Sequence, residues 1–493
     1  MNERTTIPTQ GRDHEQLLLE MTGFGTQDAD YRGGHTWSMV YYAGDDHSEF
    51  LKSAHNLYFS ENGLNPMAFR SLKRMESEVV QMTAGMLNGP PTTVGAMTSG
   101  GTESILMAVK TWRDRARAKW PWIRRPNVVC PVTIHPAFDK AAHYFGVKLR
   151  KVPVGEDGIV RVRDLKRLIN RNTILIAASA PQYATGAVDP IPELGALALG
   201  RGIPLHVDGC FGGFIQPWLE RIGVDMPVFD FRVPGVMSMS ADAHKYGYAA
   251  KGASLILYRD MDAMKHQFFV SVDWPGGIYA SPTIAGSRPG GCISAAWASL
   301  MAMGEDGYIA LASEAWSATE RLRAGIRAIE GLKILGTPHS TIVTYASDDP
   351  SIDIYAIADL LQENGWATDR QQLPPAIHCT VNASNSPVLD AYLEDLGDAV
   401  SLVRANPSLA REGEAAMYGL MAKVPIRGLV QHTVRQVMAD MYAPDGGIPD
   451  LAEVGTEDGD GALLGLLRTH EDRLHAALDR IASARRALSR RST

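Results

Sequence analysis

Ser240-Ala241-Asp242-Ala243-His244-Lys245-Tyr246-Gly247-Tyr248 stands between two apolar runs. Before it, Val236-Met237-Ser238-Met239 alternates in the manner of a strand, and after it Ser254-Leu255-Ile256-Leu257-Tyr258 reads as a second strand. The loop between them carries a lysine directly behind a histidine, among small residues and glycines. A lysine held among ordered groups and partly desolvated gives up its proton more easily, and its amine can then attack a carbonyl. Most loop lysines in any chain are simply solvated, so the flanking sequence decides.

Upstream, Ile203-Pro204-Leu205-His206-Val207-Asp208-Gly209-Cys210 reads as a short buried strand that delivers Asp208 at its C-terminal end, with Gly212 and Gly213 behind it. Open α/β sheets bind ligands at the carboxyl ends of their strands, and a carboxylate there can pair with a protonated ring nitrogen. Alone, Asp208-Gly209 would be read as a turn. Further upstream, Met97-Thr98-Ser99-Gly100-Gly101-Thr102-Glu103-Ser104 runs into the apolar helix Ile105-Leu106-Met107-Ala108-Val109. Backbone N–H groups and hydroxyls at a helix N-terminus form an anion site, although such clusters commonly just cap the helix.

Taken in order, an anion cradle, a strand-end aspartate and a loop lysine are the phosphate grip, ring-nitrogen partner and aldehyde partner that pyridoxal 5'-phosphate (PLP) requires. The blocks Thr98 to Arg113, His135-Pro136-Ala137-Phe138-Asp139-Lys140-Ala141, His206 to Phe214, Ser240 to Gly252 and Ala285-Gly286-Ser287-Arg288-Pro289-Gly290-Gly291 resemble the PLP-dependent sphingosine-1-phosphate lyases. These belong to the group II decarboxylase family of fold-type I PLP enzymes. Gln372-Leu373-Pro374-Pro375-Ala376-Ile377-His378 and Ala416-Met417-Tyr418-Gly419-Leu420 match as well, so the likeness runs from about Trp37 to about Tyr442.

The resemblance implies a set of roles. Lys245 forms the Schiff base with PLP, and Asp208 holds the ring nitrogen protonated. His135 stacks over the ring, although a histidine before a proline is by itself an ordinary loop residue. Ser99, Gly100, Gly101, Thr102 and His244 grip the cofactor phosphate, with Thr185 and Ser240 among the cofactor contacts. Gly286 and Ser287 reach the same region from a neighbouring subunit, which implies a homodimer with shared sites. A tyrosine of the N-terminal arm, a Leu-His-Pro element and a second lysine six positions after the first hold the substrate's own phosphate; Tyr42, Asn65 and Lys251 occupy those places. No metal site is suggested.

Composition fits an enzyme. The chain has 493 residues and is 45% hydrophobic, enough for a sizeable core and more than one compact unit usually holds. A net charge of −7 with mixed signs gives no basic field for nucleic acid. Four scattered cysteines, Cys130, Cys210, Cys292 and Cys379, suggest neither a disulfide framework nor a zinc site. No apolar run is long enough to span a membrane and the N-terminus has no leader pattern, so a cytoplasmic location is expected.

The expected fold is α/β: a mostly parallel sheet covered on both faces, with a smaller C-terminal α/β unit. Residues 1–60 are an aromatic arm expected to pack on a partner surface. Residues 61–305 form the large PLP-binding domain, beginning with an amphipathic helix over Phe69 to Leu87. Residues 306–445 form the small domain, and 446–493 are a linker and a helical extension over Leu463 to Leu488.

The expected reaction is carbon–carbon cleavage of a phosphorylated, sphingoid-like 2-amino-3-hydroxy substrate to a fatty aldehyde and phosphoethanolamine. Tyr42, Lys251 and the freed Lys245 are the candidate bases. Two departures bear on the substrate: Leu64-Asn65-Pro66 replaces Leu-His-Pro, and Ala184-Thr185-Gly186 replaces Pro-His-Gly. The latter looks more like an amino-acid decarboxylase, the alternative reading. That enzyme needs a cation for the substrate carboxylate, and Arg370, Arg288 and His378 are the candidates. A binding protein without turnover is disfavoured, because Lys245 and Asp208 are both present.

Overall fold

The alternation of apolar runs with helical stretches builds a seven-stranded sheet. In the computed structural model, which describes residues 6–423, 427–444 and 447, its strands are β1 (Val94–Thr98), β2 (Asn127–Pro131), β3 (Lys148–Val152), β4 (Thr173–Ser179), β5 (Leu205–Gly209), β6 (Val236–Ala241) and β7 (Ser254–Tyr258). Their spatial order is β1-β7-β6-β5-β4-β2-β3. Strands β2 to β6 are mutually parallel, and β7 runs antiparallel to both its neighbours. Every residue of β4 is buried, as its unbroken Thr-Ile-Leu-Ile-Ala-Ala-Ser run requires of a strand covered on both faces.

Side chains alternate between two cores. Leu255 and Leu257 of β7 join Val79, Val207 and Met239 on one face, while Ile256 and Tyr258 join Val109, Trp112 and Phe138 on the other. The expected amphipathic helix spans Arg70–Met86 and buries Leu72, Met75 and Val79. The helix Gly101–Lys119 lies across the other face, where the Trp112 indole N–H donates to Ser238 Oγ at 2.9 Å.

A hairpin of β8 (Phe269–Ser271) and β9 (Tyr279–Ser281) stands apart from a four-stranded antiparallel sheet. That sheet holds β10 (Leu332–Ile334), β11 (Ile342–Ser347), β12 (Asp369–Gln372) and β13 (Pro375–Thr380) in the order β10-β11-β13-β12. Its core includes Leu361, Ile377, Tyr392 and Leu396. The boundary expected near residue 305 falls inside one helical stretch, Gly290–Ala328, beside a break at Gly304 where φ is 56°. The expected extension over Leu463 to Leu488 lies outside the described residues.

The aromatic arm is divided. Trp37 does not face outward but lies fully buried against Tyr392, ring centroids 4.4 Å apart. Its backbone N–H donates to the Ala367 carbonyl at 2.9 Å, so this part of the arm is stitched to its own small sheet. Phe50 and Phe59 remain exposed.

Beyond the end of β4, Asp189 is buried with one oxygen, Oδ2, accepting from the Ser179 N–H at 2.8 Å. Its Oδ1 has no partner among the described residues. Burial pushes this carboxyl up to about 7, the Ser179 N–H offsetting only part of the effect. A raised folded value means that the folded chain binds the proton more tightly. The stabilisation is full below the unfolded value near 3.8 and is lost as pH rises through about 7. We predict that Asp189→Asn removes this component, so thermal midpoints measured from pH ~5 to ~8 fall less steeply than in the wild type. An unchanged slope would mean that Asp189 is already ionised at pH ~5.

Candidate active site

Strands β5 and β6 are parallel neighbours with Asp208 opposite Ser240. Both therefore deliver their carboxyl ends to the same edge, where the start of the helix Gly101–Lys119 also arrives. The edge opens into a cavity of about 830 Å³ lined by Ser99, Gly100, Gly101, Thr102, His135 and Cys210, with Asp242, His244 and Lys245 beside them. A second cavity of about 480 Å³, lined by Leu64, Val80, Met264 and Phe268 among others, holds none of the lysine loop.

Burial alone favours the free amine of Lys245, but its surroundings keep it protonated. Lys245 Nζ lies 3.1 Å from Asp242 Oδ2. Burial works against the ammonium, but the Asp242 charge more than offsets it and holds Lys245 above the ordinary lysine range. Asp242 is the residue the sequence reading passed over, although its place three positions before Lys245 in a tight loop was a usable signal. Its carboxyl is held below the ordinary value, the Lys245 and His244 charges overcoming the effect of burial.

Asp208 accepts through Oδ1 from the Cys210 N–H and the Ser240 hydroxyl, both at 3.1 Å. Its Oδ2 takes no hydrogen bond from the described residues. That leaves one unpaired carboxylate oxygen, on a residue only 6% exposed, suited to a protonated ring nitrogen, and it makes Ser240 a support of Asp208. Gly101 is needed for a close approach: a Cβ there would lie 2.7 Å from Asp242 Oδ2 and 2.8 Å from Cys210 Sγ. The first N–H groups of its helix have no intrahelical partner and form the donor set of an anion cradle. Ser99 lines the cavity, but its hydroxyl and N–H already donate to Glu103 Oε2 at 2.6 and 2.7 Å. Glu103 reaches back four residues and satisfies them, so Gly100, Gly101 and Thr102 remain for the phosphate. Together the free oxygen of Asp208, the glycine cradle and Lys245 fit PLP.

Several expected residues are not brought here. Thr185 is turned to Gln182, whose Nε2 donates to its hydroxyl at 2.5 Å, and it packs against Gly158 and Gly336. Gly286 and Ser287, expected to serve a neighbouring subunit's site, lie within this chain beside the Tyr279 hydroxyl and Asn62, whose Nδ2 donates to Ser287 Oγ at 3.0 Å. Asn65 is exposed, its Oδ1 spent on the N–H groups of Met67 and Ala68 in a local turn. Tyr42 sits edge-on to Tyr31, with its hydroxyl bonded to Asp45. Adjacent residues of an extended segment point oppositely, and it is Tyr41 that faces inward. Its ring lies 4.8 Å from that of Tyr246 and 5.5 Å from Lys251 Nζ. Lys251 donates to the carbonyls of Met39 at 2.6 Å and His244 at 3.3 Å. Burial of its amine and the Lys245 charge push it down to about 8.

The fold and this edge define a PLP-binding enzyme of the α/β class. Residues 49–347 match the pyridoxal-dependent decarboxylase conserved domain. The chain is 42% identical over 449 residues to a sphingosine-1-phosphate lyase of Arabidopsis thaliana, covering 90% of this chain and 82% of that one. It is 32% identical over 394 residues to a probable sphingosine-1-phosphate lyase of Legionella pneumophila, covering 77% and 64%. The solved sphingosine-1-phosphate lyase of Burkholderia pseudomallei superposes with a TM-score of 0.78 at 37% identity, over 82% of this chain and 94% of that one. The chain belongs to the pyridoxal-dependent decarboxylase family, in its sphingosine-1-phosphate lyase branch, and is a PLP-dependent lyase.

Asp208→Asn should keep the cofactor, judged by visible absorbance. Turnover should fall by roughly one to two orders of magnitude, the scale of ~1.5–3 kcal/mol for a charge-assisted hydrogen bond. Near-normal turnover would make Asp208 structural.

Proposed function

We propose that this chain cleaves the C2–C3 bond of a phosphorylated, sphingoid-like 2-amino-3-hydroxy substrate such as sphingosine 1-phosphate, giving a fatty aldehyde and phosphoethanolamine. One observation carries the reading. Lys251 stands six residues from Lys245 across the Tyr41 ring, and its partners are backbone carbonyls rather than a carboxylate. Such an ammonium beside the reacting lysine suits the phosphate of the substrate.

The alternative, an amino-acid decarboxylase, needs a cation for a carboxylate. Arg370 is held by Asp359 at 2.7 Å and Glu414 at 3.3 Å. Arg288 makes a two-pronged pair with Glu76 at 2.6 and 3.2 Å. His378 is stacked on Tyr183 at 3.9 Å, and burial pushes it down to about 3, so it is neutral. Each candidate cation is thus committed elsewhere or uncharged.

Gly100, Gly101, Thr102 and His244 hold the cofactor phosphate, Asp208 its ring nitrogen and Lys245 its aldehyde carbon, with His135 over the ring. Bound there, PLP supplies the electron sink for the pair released when the C2–C3 bond breaks. Tyr41, in the role first given to Tyr42, and Lys251 orient the substrate phosphate. The proton of the C3 hydroxyl passes to a side-chain base at this edge, while Lys251, charged below about 8, stays on the phosphate. Phe269, Val270, Trp274 and Ile278 on and beside the β8–β9 hairpin are exposed apolar residues. They suit a homodimer, in which Gly286, Ser287 and Asn65 serve the twin subunit's site. No described helix is long and apolar enough to cross a membrane. With all four cysteines free, the cytoplasm is the proposed location.

Borohydride should fix the cofactor to Lys245, and Lys245→Ala should abolish that adduct; an adduct mapped to Lys251 would refute the assignment. Lys251→Met should weaken a phosphorylated amine by about 1.5–3 kcal/mol and spare its unphosphorylated analogue. In the wild type, kcat/KM for the phosphorylated amine should decline as pH rises through about 8 and Lys251 loses its charge. Equal harm to both amines would favour the decarboxylase.

A further inference from the structure

We propose that Asp242 is the counter-ion of Lys245, a positioning residue that holds the lysine nitrogen and its proton at the sheet edge and leaves Asp208 free for the cofactor ring. The inference rests on the reading that Lys245 carries the cofactor. Asp242 is the residue after β6 and is 2% exposed. A carboxylate buried this far persists as an anion only when paired and hydrogen-bonded. Ser254 of β7 donates its hydroxyl to Oδ1 at 2.5 Å. Oδ2 faces Lys245 Nζ at 3.1 Å and His244 Nε2 at 3.6 Å. The backbone at Gly101 closes the remaining side, with no room for a Cβ.

The other groups around Lys245 cannot take this part. His244 carries no negative charge in either protonation state and cannot balance an ammonium; burial holds it below its ordinary value. Tyr41 and Cys210 are both kept protonated by burial. Lys251 repels. Asp208 lies one strand away with Oδ1 committed to Ser240 and Cys210. Two carboxylates on adjacent parallel strands therefore serve two different nitrogens. If a substrate ammonium displaced Lys245 from a protonated linkage, its nitrogen would give up two protons and Nζ would take up two, so that the lysine would leave as an ammonium. The proton count is unchanged, no bond forms to Asp242, and the carboxylate favours the charged leaving lysine.

The test is a pH titration of the visible absorbance of the cofactor–lysine linkage in the holoenzyme. Asp242→Asn keeps the shape of the side chain and removes its charge. The pH midpoint at which the linkage loses its proton should fall by about 1–3 units, the effect of losing an opposite charge within contact distance. Ser254→Ala keeps the charge but withdraws the neutral donor, so the carboxylate acts on Nζ alone and the midpoint should rise. An unmoved midpoint in Asp242→Asn overturns the proposal. If that variant does not fold, an unmoved or lowered midpoint in Ser254→Ala overturns it instead. Absence of any linkage absorbance in the wild type would defeat the Lys245 reading itself, whereas intact absorbance with unmoved midpoints defeats only the role of Asp242.

Discussion

A carboxylate taken out of water has to find a partner or a proton, and the carboxyl edge of this sheet buries three of them. Asp189, Asp208 and Asp242 follow or end β4, β5 and β6, and each is less than a tenth exposed. Each meets the constraint differently. Asp189 has a single backbone N–H and is driven toward its neutral form. Asp208 has two neutral donors on one oxygen and, among the described residues, none on the other. Asp242 has a full positive charge 3.1 Å away. The reactive edge is organised by these three solutions, because the parallel register of β4, β5 and β6 brings the carboxyl ends of the strands side by side.

The same register explains what was legible in the sequence. Strands β4 and β7 announce themselves as apolar runs, because strands covered on both faces have no polar side to interrupt them. The lysine loop and Asp208 are legible for a related reason: each follows a strand-like run directly, so chain order and spatial position coincide. Tyr41 and Tyr42 show where this fails. An extended segment gives both residues the same local pattern, and only the packing of Tyr41 on Tyr246 selects the inward one. Ser99 fails differently, because its apparent freedom depends on whether Glu103 turns back, which Glu103 does. Thr185, Asn65, Gly286 and Ser287 lie in loops whose partners come from distant elements, such as Asn62 for Ser287. Spacing carries no information about such contacts.

Trp37 illustrates the limit for whole segments. An aromatic arm too short to build a core must lend its rings to another surface, and a second subunit is one choice. Here the small sheet of the same chain takes Trp37 between Tyr392 and Trp366, and the hydrogen bond from its backbone N–H to Ala367 fixes the path. That anchorage has a consequence at the site. It sets the direction in which the chain leaves for Met39, whose φ of 63° turns the backbone, and Met39 is the residue whose carbonyl receives Lys251. The small sheet thereby reaches the reactive edge through a few residues of arm.

The loop after β6 then separates two lysines of identical chemistry. Desolvation lowers the proton affinity of any buried amine, and both lysines feel it. Lys245 also has Asp242 in contact, so its net shift is upward; Lys251 pairs with carbonyls, and Asp242 only partly offsets desolvation and the repulsion of Lys245, so its shift is downward, to about 8. The two shifts are linked, because the charge that Asp242 secures on Lys245 is among the causes that depress Lys251. Neutralising Lys245, as linkage to a carbonyl without a proton would do, relieves Lys251 and raises its affinity for a proton. A substrate phosphate would act in the same direction. The charge on one nitrogen is therefore coupled to that on the other without any movement of the backbone, which would suit the proposed roles of one amine as covalent partner and the other as anion holder.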